Sequence, residues 1–349
     1  MDRVVSQLRI GWNCAFLNRK HALLSIRGII AFIKIICSCQ FRRKNLKGQE
    51  LRGEQAITEL MILLTGAGGK TGRSLVKALS KAESVCAFVH REEQVSVART
   101  LGAEKVIVGD MREESAIRSA MQGVRSVYHI CPNMDPDEAV IGKLVIGAAR
   151  EVGVEHFVYH SVLHPQAEKM NHHWQKLRVE EMIFESGLPF TILQLAPYMQ
   201  NLLAGWKSII ENGVLRVPYS VNSKFSFVDL EDVAEAAKMV LTELNHTNAI
   251  YELAGTMPTS HVEVAEIFSR VLNRGVRAKK EGIRRFAGRL RAERSPEGTR
   301  SKHGEYAIEN LVKMFEYYDQ WGLSGNPSVL RWLLSREPTS LEAFAGRIV

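Results

Sequence analysis

From residue 61 onward, apolar and polar positions alternate along the chain with two different periods. Short apolar runs of five or six residues are followed by amphipathic stretches whose apolar residues recur every three or four positions. The predicted helices cover residues 70–81, 92–100 and 113–121, and a longer one ends near residue 151. The predicted strands are the runs MILLT, VCAFV, KVIVGD, SVYHI, HFVYHS and FTILQL. This order predicts an α/β fold, a doubly wound parallel sheet with helices on both faces.

A glycine-rich segment, TGAGGKTG, joins the first predicted strand to the first predicted helix. Ligands of such sheets bind beyond the carboxyl ends of the strands. Glycines there allow a sharp turn and bring main-chain N–H groups close to a pyrophosphate at the helix N-terminus. We therefore predict a dinucleotide site in this segment. The predicted contacts are Thr65, Gly66, Gly69, Lys70, Thr71 and Gly72.

The residue after the second predicted strand bears on the choice of dinucleotide. NAD-selective sites usually carry an acidic residue there, which binds the ribose hydroxyls. This chain reads VCAFVHRE, with Arg91 at that point and no acidic residue before Glu92. A guanidinium suits a 2′-phosphate, so we expect NADP(H) to be preferred over NAD(H). The alternative is that Arg91 is a solvated arginine at a helix start.

This glycine segment and three later motifs resemble the NmrA-like branch of the atypical short-chain dehydrogenase/reductase superfamily. The later motifs are VGDMRE, SGLPFTILQLAPYMQN and SFVDLEDVAEAA. The resemblance covers roughly residues 61–275 and implies a Rossmann-type NAD(P)-binding domain there. It also implies a smaller, mainly helical region over residues 276–349 that completes the substrate cleft, with residues 1–60 as an N-terminal extension.

The resemblance also implies cofactor contacts outside the glycine segment. The end of the third strand is expected to approach the adenine, and the loop after the sixth strand to cover the nicotinamide. The implied contacts are Asp110, Met111, Pro132, Lys176, Ala196, Pro197 and Tyr198.

The catalytic group that the superfamily uses is incomplete in this chain. Ordinary members use a serine, a tyrosine and a lysine, of which the tyrosine passes a proton to the carbonyl oxygen while hydride arrives. Here Ser161 and Lys176 are present, but the residue four before the lysine is His172. Either His172 acts as the general acid, or the tyrosine's function is lost and Lys176 only holds the cofactor ribose. Ser161 acts either in the active site or as an ordinary strand-end residue.

Histidine and cysteine spacing gives little support to a metal site. His156, His160 and His164 are four residues apart, but a strand and loop would not align them as a helix would. The five cysteines show no pairing pattern or zinc-ligand spacing. We predict no metal and a reducing compartment.

The net charge of +8 is concentrated in the first sixty residues, which hold 11 Lys/Arg and 4 Asp/Glu. The other 289 residues hold 35 basic and 34 acidic side chains. An acid-poor, basic, amphipathic stretch over residues 20–44 is typical of a mitochondrial presequence or a helix on an anionic membrane. Alternatively, the extension is dispensable or follows an unused start. We expect a cytoplasmic core, or a mitochondrial or membrane-associated protein if the extension is functional.

The C-terminal third carries a second basic run and the candidate substrate contacts. Residues 274–302 contain 11 Lys/Arg, which we interpret as a solvated helical face rather than a nucleic-acid site, since few aromatics are interleaved. Met199, Leu203 and Trp206 are apolar candidates for the substrate pocket, with core packing as the alternative. The segment SVLRWLLSREPTSLEAF predicts a helix and then a last short helix with a serine-type start.

Two functions from different classes fit these features. The first is an oxidoreductase that transfers hydride from NADPH to a small apolar carbonyl or quinone. The second is a non-catalytic redox sensor that binds the dinucleotide and acts through protein partners. A scaffold attached to a membrane by the extension is a third, weaker candidate.

Overall fold

The computed structural model describes residues 61–293 and 302–349. The N-terminal extension, with its predicted amphipathic stretch, lies outside the described residues. The strands are β1 Met61–Leu64, β2 Val85–Val89, β3 Lys105–Val108, β4 Val124–His129, β5 His156–Val162, β6 Phe190–Leu195, β7 Val214–Val217, β8 Lys224–Phe225, β9 Ala249–Leu253, β10 Thr259–Ser260 and β11 Arg277–Lys280. Seven of them form the main sheet, all parallel, in the order β3-β2-β1-β4-β5-β6-β9. The predicted doubly wound α/β fold is therefore confirmed.

Helices connect the strands and cover both faces of the sheet. They are α1 Lys70–Leu79, α2 Glu93–Thr100, α3 Glu114–Ala120, α4 Glu138–Val152, α5 Asn171–Ser186, α6 Trp206–Asn212, α7 Leu230–Thr242, α8 His261–Val271, α9 Ile283–Glu293, α10 Lys302–Trp321, α11 Ser328–Leu334 and α12 Leu341–Gly346; a 3₁₀ helix covers Met199–Gly205. The predicted helices at residues 70, 92 and 113 begin within one residue of these bounds.

Two hydrophobic clusters lie on opposite faces of the sheet, because side chains alternate along each strand. Ile62 and Leu64 of β1 belong to the cluster that includes α1 and α7, whereas Leu63 belongs to the cluster that includes α3, α4 and α5. All five residues of β2 are buried. Burial on both faces explains why the strands appear in the sequence as continuous apolar runs.

The basic run after residue 274 is not one helical face, which corrects our interpretation of that segment. Its first part, Arg277–Lys280, forms β11 and pairs in parallel with β7 in a separate two-stranded sheet. The helix α9 begins only at Ile283. The sequence pattern does not reveal this short edge strand, because its side chains are mostly charged and form no apolar run.

The C-terminal helices pack back onto the main sheet. The helix α11 packs against α7 and β9, and α12 packs against α8. Ser340 caps α12 by accepting a hydrogen bond from the Ala343 N–H, which confirms the predicted serine-type start. Within residues 61–293 and 302–349, no helix has the length and apolarity needed to cross a bilayer.

A buried carboxylate fastens the chain before α12 to α7. Asp232 is fully buried and accepts hydrogen bonds from Arg336 Nη2 at 2.7 Å, Thr339 N at 2.7 Å and Thr339 Oγ1 at 3.1 Å. Arg336 also pairs with Glu235, whose side chain is 43% exposed.

We expect Asp232→Ala to lower the free energy of unfolding by about 2–4 kcal/mol, because a buried charged acceptor with three donors is lost. Urea denaturation followed by circular dichroism measures this change. The control is Glu235→Ala, which removes the exposed partner of the same arginine and should cost less than about 1 kcal/mol. Equal losses in the two variants would contradict the assignment.

Candidate cofactor site and active site

The three glycines of the loop after β1 are required for three different reasons. Gly66 has φ +65°, and a Cβ there would lie 2.8 Å from the carbonyl oxygen of Ile130. A Cβ on Gly72 would lie only 2.3 Å from the carbonyl oxygen of Gly66, so α1 packs directly onto the loop. A Cβ on Gly69 would meet only that same oxygen, at 3.4 Å. Gly69 therefore faces open space, as a residue over which a ligand passes must.

The N-terminus of α1 points its amides into this open space. Gly69 is the N-cap residue, and no side chain caps the helix. The first helical hydrogen bond runs from Arg73 N to Gly69 O at 2.9 Å, so the N–H groups of Lys70, Thr71 and Gly72 precede the helical ladder. Uncapped amides and the helix dipole together suit an anionic group.

Thr65 lies below the loop rather than at its surface. Its side chain is fully buried, and its Oγ1 lies 2.8 Å from His129 Nδ1 and accepts from the Ile130 N–H at 2.9 Å. Thr65 therefore holds the ends of β1 and β4 together beneath the predicted phosphate position.

Arg91 lies at the start of the loop after β2, and its guanidinium is exposed. It forms an exposed ion pair with Glu93 at 3.3 Å. Gln94, which the sequence did not mark, accepts at Oε1 from the N–H groups of His90 at 3.1 Å and Arg91 at 3.0 Å. The Gln94 amide also lies against Gly68, where a Cβ would be 2.4 Å from its Cδ. Gln94 therefore bridges the loops after β1 and β2.

Asp110 follows β3 and belongs to a cluster around Arg112. It accepts from Arg112 N at 2.9 Å and from Arg112 Nη1 at 3.2 Å. Burial alone would raise the pKa of Asp110, but these hydrogen bonds and the guanidinium charge outweigh it and lower the pKa. Arg112 also pairs with Asp135 at 2.5 Å and Asp137 at 2.9 Å. The Arg112 guanidinium therefore offsets the negative charge of both aspartates.

Met111 is buried in the hydrophobic cluster that includes α3, α4 and α5.

The loops after β4 and β6 supply the other predicted contacts. Pro132 lies three residues beyond the end of β4, partly exposed. Ala196 is buried and Pro197 partly exposed directly after β6. Tyr198 is fixed by its hydroxyl, which lies 2.6 Å from His160 Nε2 and interacts with Thr71 of α1.

These contacts extend into a chain of polar groups under the loop after β6. The other nitrogen of the His160 ring, Nδ1, lies 2.8 Å from the hydroxyl of Tyr128. Burial, with a smaller contribution from the charge of Lys176, lowers the pKa of His160 to about 3. A neutral ring donates through one nitrogen and accepts through the other. Burial also raises the pKa of Tyr198 to about 12, so its hydroxyl keeps its proton near neutral pH.

Lys176 of α5 lies on the face of β5 opposite to the His160 ring. It belongs to a buried polar cluster that the sequence did not reveal. Its Nζ lies 2.7 Å from Glu138 Oε1 and donates to the carbonyl oxygen of His160 at 3.3 Å. The Tyr159 hydroxyl donates to the same Glu138 oxygen at 3.0 Å. Glu138 is the first residue of α4, and its side chain is completely buried.

His172 lies beside this cluster but is not hydrogen-bonded to it. Its Nδ1 is 3.9 Å from Glu138 Oε2. Burial lowers the pKa of His172 to about 3, and the charge of Lys176 adds to this effect. The ring is therefore neutral near pH 7, and in this arrangement it holds no imidazolium proton to deliver.

Ser161 is completely buried at the end of β5 and points toward α5. Its hydroxyl donates to Glu180 Oε1, and Gln194 Nε2 donates to Glu180 Oε2 at 3.0 Å. Burial raises the pKa of Glu180, with its hydrogen-bond donors opposing the shift. Ser161 and Lys176 thus lie in one buried region, but Ser161 is held by a different carboxylate.

The apolar candidates for the substrate pocket pack into the protein. Met199 is fully buried in the 3₁₀ helix, and Leu203 packs against the core. The Trp206 ring contacts Phe268 edge to face, with centroids 5.8 Å apart. Core packing therefore uses much of the apolar surface of these residues.

Sequence reasoning missed Gln94, Glu138, Tyr159 and Glu180, which complete the surroundings of the predicted residues. Two of them carried a usable signal. Glu138 begins an amphipathic helix on its apolar side, and Tyr159 lies two positions before Ser161 on the same face of a strand. The pairing of Glu138 with Lys176 across 38 residues has no local signature.

Comparison with known proteins finds relatives whose names describe reductases. The chain is 28% identical to quinone oxidoreductase 2 of Escherichia coli over 240 residues, which are 68% of this chain and 84% of that protein. It is 32% identical to an NAD(P)H azoreductase of Xenophilus azovorans over 221 residues, 62% of this chain and 76% of that protein.

Solved structures show the same fold. A crystal structure of an NADPH-dependent quinone oxidoreductase from Escherichia coli, complexed with NADPH, is 25% identical with a TM-score of 0.69, and the match covers 82% of this chain and 99% of that one. The triphenylmethane reductase of a Citrobacter species, complexed with NADP(H), is 24% identical with the same TM-score, over 82% of this chain and all of the other.

The model of the NmrA-like family matches residues 58–345, and this chain belongs to that family.

Proposed function

We propose that this chain is an NADP(H)-binding reductase that transfers hydride from NADPH to a small apolar carbonyl or quinone. The observation that carries the proposal is the loop after β1, where uncapped amides of α1 face the open side of Gly69. A diphosphate suits this place, because it accepts hydrogen bonds from the amides and gains from the helix dipole.

Similarity to characterised relatives supports the reductase part of the proposal. The quinone oxidoreductase matches this chain over 240 residues and the azoreductase over 221 residues. Their names describe reductions of different acceptors, so the shared element is the dinucleotide and the acceptor is set by each pocket. The quinone in the name of one of these relatives is the basis for proposing a small apolar carbonyl or quinone here.

The residues divide the work as follows in this proposal. The glycine loop with Lys70 and Thr71 holds the pyrophosphate, Asp110 and Met111 approach the adenine, and Lys176 holds the nicotinamide ribose. When bound, the cofactor supplies the hydride. Hydride addition leaves a negative charge on the acceptor oxygen, which the nearby positive charge of Lys176 can stabilise until solvent water supplies the proton. Neutral His172 contributes an N–H or a lone pair.

A second candidate is a redox sensor that binds the dinucleotide and acts through protein partners. Two observations favour it: the position of the usual tyrosine holds His172, which is neutral here, and Ser161 is bound to Glu180. Binding without turnover is the property that separates the two functions.

We expect Gly69→Ala to weaken binding of NADPH by at least about tenfold, because its methyl group would stand over the open space. The fold should tolerate it, since the residue has φ −78° and its Cβ meets no atom closer than 3.4 Å. Isothermal titration calorimetry measures the affinity and thermal unfolding the stability. Gly147→Ala is the control, because its Cβ would meet nothing within 4 Å. Undiminished NADPH binding by Gly69→Ala would refute the phosphate site.

We expect Arg91→Ala to weaken NADPH binding by about 10- to 100-fold while leaving NADH binding within about twofold. The reason is that a charge-assisted hydrogen bond contributes about 1.5–3 kcal/mol and only NADPH carries the 2′-phosphate. The same titration with both dinucleotides gives the ratio. Arg99→Ala, an exposed arginine of α2, removes the same charge as a control. Equal losses for the two dinucleotides would show that Arg91 does not select between them.

We expect the purified protein to oxidise NADPH with at least one member of a quinone and carbonyl panel. Lys176→Met should reduce kcat by about 100-fold or more, because the charged donor is lost while its volume is nearly kept. Absorbance at 340 nm follows the reaction, and calorimetry verifies that the variant still binds NADPH. Tight NADPH binding by the wild type without turnover on any acceptor would favour the sensor.

A further inference from the structure

Glu138 is the charged partner of Lys176. Its side chain is completely buried, and its Oε1 accepts hydrogen bonds from both Lys176 Nζ and the Tyr159 hydroxyl. Its Oε2 makes no hydrogen bond with any residue in 61–293 or 302–349. A buried carboxylate is costly unless it is paired, so this one depends strongly on the ammonium group.

The position of Glu138 at the start of α4 adds a second source of stabilisation. It is the first residue of a 15-residue helix whose N-cap, Asp137, makes no side-chain capping bond. A negative charge in the first helical turn interacts favourably with the helix dipole. The dipole of α4 therefore stabilises the carboxylate, and the position of α4 determines where Lys176 of α5 meets it.

Two acceptors bind the Lys176 ammonium, which leaves one of its three N–H donors unused. An ammonium has three N–H donors. Glu138 Oε1 and the carbonyl oxygen of His160 accept two of them, and the Tyr159 ring lies 5.3 Å from Nζ. Within the described residues, no third acceptor is bonded to Nζ. A ligand that reached this buried side chain would therefore meet one unused N–H.

The other titratable groups around the pair do not supply a competing positive charge. Burial lowers the pKa of His129, His160 and His172 to about 3 in each case, with Lys176 contributing second. These rings are neutral near pH 7. The titratable groups that face the pair are His129 of β4, Cys131 beyond it, Tyr159 and His160 of β5, His172 and Glu180 of α5, and Tyr306 of α10.

We propose that Glu138 is a positioning residue of the reductase: its Oε1, 2.7 Å from Lys176 Nζ, fixes that nitrogen so that one N–H stays free for the ligand. The inference rests on the proposed function, in which Lys176 holds the cofactor ribose. Glu138 acts through Lys176 and does not touch the cofactor.

The first test measures the ammonium itself and needs no turnover. The Lys176 side chain is titrated by ¹⁵N NMR in the cofactor-free protein, with its signal assigned from Lys176→Met. In Glu138→Gln the ammonium loses its counter-ion and gives up its proton at lower pH, so the titration midpoint should fall by about 1 pH unit or more. An unchanged midpoint would overturn the inference.

A matched control separates this pair from the general loss of a buried carboxylate. Glu180 is also buried on α5, one turn beyond Lys176, but it bonds to Ser161 and Gln194 instead. Glu180→Gln should move the Lys176 midpoint by less than Glu138→Gln does. Equal shifts would mean that Glu138 has no special relation to Lys176.

The second test uses turnover and distinguishes charge from position. The pH at which kcat declines on the alkaline side should fall with the NMR midpoint in Glu138→Gln. Glu138→Asp keeps the charge but withdraws it by one methylene, so its alkaline limb should move less while kcat still falls several-fold. If Glu138→Asp equals Glu138→Gln in both respects, the positioning role is refuted. If the wild type shows no turnover, the proposed function fails, while the NMR titration still decides the pairing.

A folding defect in Glu138→Gln is decided by the double variant. If the unpaired ammonium causes the defect, Glu138→Gln with Lys176→Met should recover thermal stability relative to Glu138→Gln alone. A double variant as unstable as the single one would show that Glu138 holds the fold independently of Lys176, which would overturn the inference.

Discussion

The contact between Gly72 and the carbonyl oxygen of Gly66 determines where α1 begins relative to the sheet. A methyl group on Gly72 would lie 2.3 Å from that oxygen, a distance that real Cβ atoms do not adopt. The contact holds the N-terminus of α1 at the carboxyl end of β1. There the strand order divides, with β2 and β3 on one side of β1 and β4, β5 and β6 on the other. Ligands of doubly wound sheets bind at such a division, because the connections on either side run in opposite directions and leave a crevice.

Two clusters of polar side chains lie on opposite faces of the strand β5, one neutral and the other charged. His160 points to one face and joins Tyr128 and Tyr198 in a chain of neutral hydrogen-bonding groups. Tyr159 points to the other face, where Glu138 and Lys176 form a buried ion pair. The period-two alternation of a strand explains how neighbouring residues serve both. The charged groups are thereby concentrated on the face that α4 and α5 cover.

A series of direct side-chain contacts connects the glycine loop with the buried ion pair of Glu138 and Lys176. Thr65 at the end of β1 lies 2.8 Å from His129 Nδ1, and the His129 ring stacks on Tyr159 with centroids 5.8 Å apart. Tyr159 in turn donates to Glu138, the partner of Lys176. Close packing of this kind fixes the lysine relative to the loop, which a reaction between a bound dinucleotide and an acceptor requires.

Sequence alone determined the order of the first six strands, the parallel sheet, the glycine loop and the family. These follow from local patterns: apolar runs of strand length, helical periodicity, and glycines where a strand turns into a helix. Local patterns failed at Arg277–Lys280, a short charged strand whose pairing with β7 depends on residues some sixty positions away. Only the tertiary structure decided that Ser161 binds Glu180, that His172 is buried and neutral, and that Glu138 pairs with Lys176. Each of these results depends on burial and on partners from another element, and neither is encoded in the neighbouring residues of the chain.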